Sequence, residues 1–348
     1  MRRRHALALL GGGLLARDAR AQSQNSTRTV VDSAKRPVTL PAKIERVFVA
    51  GPPASVLAYV LAPDAMVGWI RQPSPAEKEF LAAPARDLPE TGRLTGRGDT
   101  MSLERLLAAK PDLVLDFGST TQTYVSLADR VQSQTGIPYV LIDGRFAATA
   151  SSLKLAADVL SRPQRGAELA AYADKTFAVV DTVLAKVPGG KRPRVYLARG
   201  PEGLETGARG SINTEIIERA GAVNVVEGIG GHGNIATASM EQLIAWQPEI
   251  VLTLDRACFA GVKSKPGWEQ VRAVKDNKVF LAPSLPWGWI DAPPSLNRLI
   301  GLRGLLQTFY PTEARLDLRA DTREFYSLFY GVTPSDAQID RLLNGAAR

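Results

Sequence analysis

Three arginines in predicted loops are the residues best suited to hold a negatively charged ligand. Arg145, Arg199 and Arg209 each lie in a segment that follows a predicted β-strand. A guanidinium group can pair with the oxygens of a carboxylate, a catecholate or a phosphate on a chelate. In α/β sheets the loops at the carboxyl ends of strands form the usual ligand cleft. We therefore predict that these arginines bind ligand; the alternative for each is a solvated surface charge.

Two tryptophans flank a glycine in residues 286–291, which read PWGWID. Large apolar rings in an exposed loop are costly unless a ligand or the protein core covers them. Indole rings also suit stacking on an aromatic or macrocyclic ligand. The hypothesis is that Trp287 and Trp289 bind ligand, and the alternative is that one or both pack beneath the loop.

One histidine, His232, remains once residues 1–21 are set aside, and it lies in the glycine-rich segment 228–233. An imidazole there could complete the coordination of a metal held in a chelate. The alternative is an ordinary exposed loop residue. The segment formally matches G-x-G-x-x-G, but no helix opens at its last glycine, so a nucleotide site is not predicted.

The composition argues against an enzyme. Outside residues 1–21, one histidine and one cysteine, Cys258, cannot build a histidine-rich zinc site, a cysteine-ligated iron–sulfur site or an intrachain disulfide. No G-x-S-x-G nucleophile motif occurs in the chain. Hydrolysis by carboxylates alone remains open. We predict neither catalysis nor a resident metal or cofactor.

An internal repeat relates residues 101–115 to residues 239–252. Each copy reads as a short helix followed by proline, an acidic residue and a β-branched strand. Glu104 and Glu241 occupy the same place in the two copies. Ser102 and Ser239, two residues earlier, can cap the helices, and the helix dipole favours a carboxylate in the first turn. The alternative is that the glutamates are only good first-turn residues.

Strands that alternate with helices predict two α/β halves with parallel sheets. The apolar runs predict strands at 46–50, 66–70, 113–117, 139–143, 194–198, 250–254 and 278–282. Between the halves, a helical pattern begins at Pro163, after a capping-box pattern of Ser161 with Gln164. It predicts a helix of about 22 residues, about 33 Å long. The alternative is a surface helix within one larger domain.

The first residues resemble an export signal rather than part of a core. Residues 1–21 have an arginine run, a short apolar stretch and small residues before a cleavage point. They hold five arginines and one aspartate, which leaves 38 basic and 34 acidic residues, a net charge of +4, in the rest. That balance favours an anionic ligand and excludes the basic stripe of a nucleic-acid-binding protein. The alternative for the first 21 residues is a disordered basic tail.

The internal repeat resembles a sequence block of a known protein family. Residues 102–114 and 239–251 resemble the S-L-E…P-D block of periplasmic binding proteins for iron-siderophores, cobalamin and haem. Thr206-Gly207, Ile212, Ile216 and residues 221–224 are similar to the start of that family's second lobe. The resemblance covers residues 44–306, most of the chain.

The resemblance implies a class III fold: two α/β lobes, each with a mainly parallel sheet, joined by one long rigid helix. The predicted divisions are a signal peptide at 1–21, lobes at 22–160 and 189–348, and the linking helix at 161–188. It also implies that Glu104 and Glu241 pair with arginines on the membrane subunits of an ABC importer. The ligand is expected to be an iron-siderophore or similar metal chelate held between the lobes. The alternatives are cobalamin, haem, a nickel or cobalt chelate, or a bare oxyanion.

We therefore expect a monomeric periplasmic receptor, exported by the general or the twin-arginine route. An envelope enzyme is the alternative from another class.

Overall fold

The structure is a computed structural model that describes residues 26–96, 102–229 and 235–344. The strands are β1 Thr27–Val31, β2 Pro37–Pro41, β3 Val47–Val49, β4 Leu113–Gly118, β5 Tyr139–Asp143, β6 Arg194–Ala198, β7 Glu205–Gly207, β8 Val223–Asn224, β9 Ile235–Thr237, β10 Ile250–Thr253 and β11 Val279–Leu281. The helices are α1 Pro52–Leu61, α2 Pro75–Lys78, α3 Leu103–Ala109, α4 Gln122–Thr135, α5 Thr149–Val159, α6 Pro163–Leu184, α7 Glu215–Arg219, α8 Met240–Trp246, α9 Arg256–Gly261, α10 Arg272–Lys275, α11 Arg298–Phe309, α12 Pro311–Ala314, α13 Leu318–Phe325 and α14 Asp336–Asn344. A π-helical turn, Tyr326–Tyr330, follows α13. The predicted signal peptide and His232 lie outside the described residues.

Two separate parallel sheets form the centres of two lobes. The first has the order β3-β4-β5 and the second the order β11-β10-β6-β8, and every pairing within them is parallel. The strands are buried along almost their whole length, because helices cover both faces of each sheet. The predicted α/β architecture with two parallel sheets is confirmed.

Six of the seven predicted strands occur within one residue of their expected ends. The exception is the segment predicted at 66–70. Met66 forms a single bridge with Val47 at the edge of the first sheet, and Trp69 bridges Glu90 instead. The chain turns to this second partner after one bridge, so no continuous strand forms.

The helix between the two sheets is α6, with 22 residues from Pro163 to Leu184. It buries one face, which includes Leu169, Tyr172, Ala173 and Val180. The long linking helix is therefore present within the predicted 161–188. Its predicted capping box is wrong: the N-cap is Arg162, which forms no side-chain cap, and Ser161 has a left-handed φ of 56°.

The C-terminal helices return to the first lobe. Tyr59 of α1 donates a hydrogen bond to the carbonyl of Tyr330 at 2.6 Å. Phe80 packs edge-on against Tyr326 with their centroids 5.5 Å apart. The last part of the predicted second lobe, 189–348, therefore contacts the first lobe. The apolar faces of these helices are covered by first-lobe aromatics, which a local sequence pattern cannot specify.

The part of the chain that the structure describes contains no helix that is long and apolar enough to cross a membrane.

Candidate functional site

The first-lobe wall of the candidate cleft consists of the loops that follow β4 and β5. The amide of Gly144 donates to the carbonyl of Gly118 at 2.7 Å, so the two loops are tied together by their backbones. A Cβ atom on Gly144 would lie 2.6 Å from the Cα of Gly118. Only glycine permits this approach. The wall that carries the next residue, Arg145, is therefore fixed by backbone contacts.

Arg145 lies at this wall as predicted, and it forms an ion pair within the first lobe. Its Nε lies 2.9 Å and its Nη2 2.5 Å from Oδ2 of Asp143. This pairing raises the pKa of Arg145, so the guanidinium stays charged. The Arg145 side chain is 74% exposed. The charged end of Arg145 therefore stays in contact with solvent and is accessible to a ligand in the cleft.

Arg199 holds the corresponding place in the second lobe, directly after β6. Its Nε lies 2.9 Å from Oδ2 of Asp291, a carboxylate with no solvent exposure. The contact is an ion pair without an aligned hydrogen bond, since neither atom has a hydrogen-bond partner. Oδ1 of Asp291 accepts from Asn213 at 2.9 Å, which fixes the carboxylate. Within the described residues no acceptor binds the Nη atoms of Arg199, and its side chain is 20% exposed. That planar pair of donors suits the two oxygens of an anion.

Arg209 lies in its predicted loop and makes contacts within the second lobe. Its Nε donates to the carbonyl of Asn224 at 2.9 Å, and its Nη2 lies 2.7 Å from Glu227. The guanidinium thus fastens its own loop to the end of β8. No described contact joins it to Arg145 or Arg199, so ligand binding by Arg209 stays a prediction.

Trp289 is a core residue, and the prediction that it stacks on a ligand is wrong. It is 2% exposed, and its indole N–H donates to the hydroxyl of Tyr326 at 3.2 Å. Gly304 of α11 lies against its ring. The core therefore covers the ring, as the alternative interpretation held.

Trp287 is half-buried in an aromatic cluster that joins it to the first lobe. Its ring lies 5.5 Å from Tyr59, 6.1 Å from Trp69 and 5.1 Å from Tyr330, between centroids. Contact of Trp287 with a ligand remains a prediction, restricted to the part of the ring that the cluster leaves exposed.

The two lobes meet at Arg298, the first residue of α11. Its Nη2 donates to the carbonyl of Gly144 in the first lobe at 2.8 Å. Its Nη1 donates to Glu215 at 2.7 Å and to the carbonyl of Ile212 at 2.9 Å in the second lobe. Glu215 also accepts from the amide of Phe146 at 2.7 Å. Burial lowers the pKa of Arg298, and the charge of Glu215 opposes that shift.

Sequence reasoning did not identify Arg298, Glu215 or Asp291 as members of the site. The one available signal was an arginine directly before the apolar run at 299–302. A charge at such a position indicates a buried partner. The identity of that partner depends on the tertiary fold.

The two copies of the internal repeat have the same local structure. Ser102 and Ser239 cap α3 and α8 through bonds from the amides three residues later. Both helices have seven residues and end at a residue with φ near +43°, Lys110 and Gln247. The repeat is therefore structural as well as sequential.

Glu104 and Glu241 lie in the first turns of these helices and are exposed. A hydrogen bond with Ser239 lowers the pKa of Glu241, so this carboxylate is charged. No described contact links either glutamate to Arg145 or Arg199. Their docking role is not tested by this geometry and stays a prediction.

No group of three or more His, Cys, Asp or Glu side chains that could hold a metal ion occurs in the described ranges 26–96, 102–229 and 235–344. His232, predicted to ligate a chelated metal, lies outside them.

Comparisons with known proteins agree with this architecture. A model of the periplasmic binding protein family matches residues 62–285, about two thirds of the chain. The chain is 28% identical over 330 residues to the molybdate-binding protein MolA of Haemophilus influenzae, covering 87% of this chain and 91% of MolA. The structure of MolA bound to molybdate has a TM-score of 0.73 and 27% identity, covering 88% and 99% of the two chains.

An ABC transporter solute-binding protein from Sulfurospirillum deleyianum has a TM-score of 0.81 and 26% identity, covering 91% of this chain and 99% of that one. These matches and the two lobes joined by α6 confirm the family resemblance and the class III fold. The chain belongs to the periplasmic binding protein family.

Proposed function

We propose that the chain is the solute-binding component of an ABC importer that captures a tetrahedral oxyanion of the molybdate class. It takes up this anion in the periplasm and delivers it to the membrane subunits. The observation that carries the proposal is the cleft guanidinium of Arg199, held by a buried carboxylate, with Nη donors that no described residue occupies. The Haemophilus influenzae relative supports the same ligand class by its name and by its molybdate-bound structure.

The oxyanion was one of the alternatives to a metal chelate, and two features favour it. First, Trp289 is buried, so the double indole platform expected for a macrocycle is reduced to part of Trp287. Second, Arg298 and Glu215 connect the lobes directly beside Arg145. A small dianion bound by guanidinium groups needs less space between the lobes than a chelate does.

The remaining parts of the proposal follow from the family and the sequence. Residues 1–21 are proposed as the export signal that brings the protein to the periplasm, by either route. Glu104 and Glu241 are proposed to pair with arginines on the membrane subunits. The protein is proposed to act as a monomer that binds its ligand without changing it.

The test is isothermal titration calorimetry of the chain without residues 1–21. We expect molybdate and tungstate to bind, and sulfate, phosphate, ferric siderophores, haem and cobalamin to bind much more weakly. Arg199→Lys keeps a charge beside Asp291 but loses the two-pronged donor. It should weaken molybdate binding about 10- to 100-fold, since hydrogen bonds to charged groups contribute about 1.5–3 kcal/mol.

The matched control is Arg219→Lys. Arg219 has a similarly covered side chain and pairs with Asp181 on the linking helix, outside the cleft. It should bind molybdate like the wild type. Tight binding of a chelate with no binding of molybdate would overturn the proposal in favour of the metal-chelate alternative.

A further inference from the structure

Arg298 is a fully enclosed charged side chain at the contact between the lobes. It is 1% exposed and makes four hydrogen bonds, the fourth from Nε to the carbonyl of Ser295 at 3.2 Å. Its guanidinium also lies over the ring of Phe146, 4.7 Å from the centroid. These contacts come from both lobes, so the side chain joins the two lobes directly, in addition to the links through α6 and the C-terminal helices.

Each end of this contact leads to a candidate ligand arginine. On the first-lobe side, Arg298 binds the carbonyl of Gly144, the residue before Arg145. On the second-lobe side it binds the carbonyl of Ile212. The next residue, Asn213, holds the carboxylate of Asp291, which pairs with Arg199. A continuous series of contacts therefore runs between the two cleft arginines.

A buried ion pair of this kind is a poor source of stability. The desolvation of two charges offsets most of their attraction, and replacing both partners by apolar residues often leaves a protein equally stable. Such a pair does, however, demand one geometry. Glu215 accepts from both Arg298 and the amide of Phe146. Any shift of one lobe relative to the other breaks several of these bonds together.

We propose that Arg298 and Glu215 form an interlobe brace that sets the separation of Arg145 and Arg199, and with it the affinity for the oxyanion. Arg298 is a positioning residue in this arrangement and does not touch the ligand. The inference rests on the proposed function for its statement about affinity, but the brace itself concerns only the two lobes.

The test measures the distance between the lobes by pulsed electron paramagnetic resonance. Spin labels are attached at Arg130→Cys on α4 and Lys275→Cys on α10, both exposed, in a Cys258→Ala background. With the brace intact, the distance distribution should be narrow with or without molybdate. In Arg298→Met it should broaden without molybdate.

Saturating molybdate should restore the narrow distribution in Arg298→Met, because binding selects the competent separation. If about a tenth of the variant molecules hold that separation, Kd rises about tenfold. Glu215→Gln is a second, milder variant, since it keeps an acceptor for the Phe146 amide but removes the charge that pairs with Arg298. It should broaden the distance distribution and raise Kd to a smaller degree.

The matched control is Arg303→Met. Arg303 is a second buried arginine on α11, paired with Asp321 at 2.8 Å on α13, and no described contact joins it to Gly144, Ile212 or Glu215. It should lose stability without changing the interlobe distance or Kd. A narrow distribution in unliganded Arg298→Met and Glu215→Gln would overturn the brace. Lower affinity with an unchanged distance would also overturn it, since Arg298 would then act on the ligand directly.

If the wild type does not bind molybdate, the proposed function fails. The distances measured without ligand still decide whether the brace exists.

Discussion

Asp116 is a carboxylic acid enclosed in the core of the first lobe, near the carboxyl end of β4. It accepts hydrogen bonds from the Tyr139 hydroxyl at 3.1 Å and from the Phe117 amide at 2.9 Å. Burial is the largest influence and raises the pKa of Asp116 to about 6, and these hydrogen bonds only partly oppose it. The folded protein therefore holds this proton at pH values where an unfolded chain has released it.

The consequence for stability has a definite sign. An unfolded aspartate has a pKa of about 3.9. The contribution of protonated Asp116 is fully present below that value and is lost as pH rises through about 6. The wild type should therefore lose stability as the pH rises from 4 to 7, and Asp116→Asn should not. We expect the difference in free energy of unfolding between the two proteins to shift by about 2 to 3 kcal/mol in favour of Asp116→Asn over this range.

Urea denaturation of both proteins across this pH range measures the change. The difference between the two proteins isolates Asp116 from carboxylates whose contribution to stability changes with pH in the opposite direction. Glu77 is one of them: its partial burial raises its pKa, but the bonds from Arg71 and Ser74 together lower it. Parallel pH profiles for the two proteins would contradict the assignment.

At the scale of the element, the two repeat units show how one local design is used twice. In the first, the guanidinium of Arg46, just before β3, donates to the carbonyl of Ala109 at the end of α3 at 2.7 Å. In the second, Arg194, the first residue of β6, donates to the carbonyl of Trp246 at the end of α8 at 2.9 Å. Each guanidinium satisfies a terminal carbonyl that the helix itself leaves unpaired.

The acidic residue after the repeat's proline completes each unit. Asp112 accepts the backbone amide of Arg46 at 2.8 Å, and Glu249 accepts that of Arg194 at 3.1 Å. The order of proline and acid, which occurs in both copies of the repeat, thus has a physical role. The acid binds the backbone at the start of one parallel strand, and the acid itself lies just before the neighbouring strand.

We expect Arg46→Met to lower the free energy of unfolding by about 1 kcal/mol, because the end of α3 loses a favourable cation and a hydrogen bond. Arg46→Lys should recover part of this loss, since it restores the charge with fewer directed donors. The control is Arg130→Met, an exposed arginine on α4, which should change stability little. The midpoints of urea denaturation measure these differences. If Arg46→Met were as stable as the wild type, the carbonyls at the end of α3 would not need a cation.

The sequence was sufficient for features that depend on local pattern. The buried strands, the length of α6 and the capped repeat helices are set by residues within a few positions of each other, and they were predicted closely. Partners distant in sequence were not predictable. Arg46 lies 63 residues from the carbonyl that it binds, and Arg298 lies 154 residues from Gly144. Only the packing of the lobes brings such groups together.

The tryptophan loop shows the same limit at a single site. A run such as PWGWID states that two indoles are close in sequence, but not which surface covers each. Trp289 turned to α11 and Tyr326, whereas Trp287 turned to first-lobe aromatics. The covering groups come from segments that the local pattern does not specify.

At the scale of the whole molecule, α6 and the C-terminal helices hold the lobes in one arrangement. Helix α6 packs against α5 of the first lobe and α11 after the second sheet. The chain then returns to the first lobe through Tyr330 and Arg341, which pairs with Glu79 at 2.5 Å. The two lobes are thus connected at several places. This geometry favours small changes of lobe orientation over a wide hinge motion.

A fixed arrangement of the lobes matters for the proposed docking. Glu104 and Glu241 begin equivalent seven-residue helices, one in each lobe. Exposed ion pairs are individually weak, about 0.2–1 kcal/mol each. Two such pairs formed on one rigid body gain from effective concentration, since the second forms within an existing complex. We therefore expect Glu104→Arg or Glu241→Arg to weaken docking, and the double variant to lose nearly all uptake.

Uptake of the solute that the purified protein binds, in cells that carry the cognate importer, measures the effect. Asp174→Arg is the control, because it reverses an exposed carboxylate on α6 between the lobes. It should support uptake like the wild type. Solute affinity should be unchanged in every variant, because neither glutamate contacts Arg145 or Arg199. Full uptake by the double variant would show that the membrane subunits bind another surface, and a loss of solute affinity would place the two glutamates in the ligand site instead.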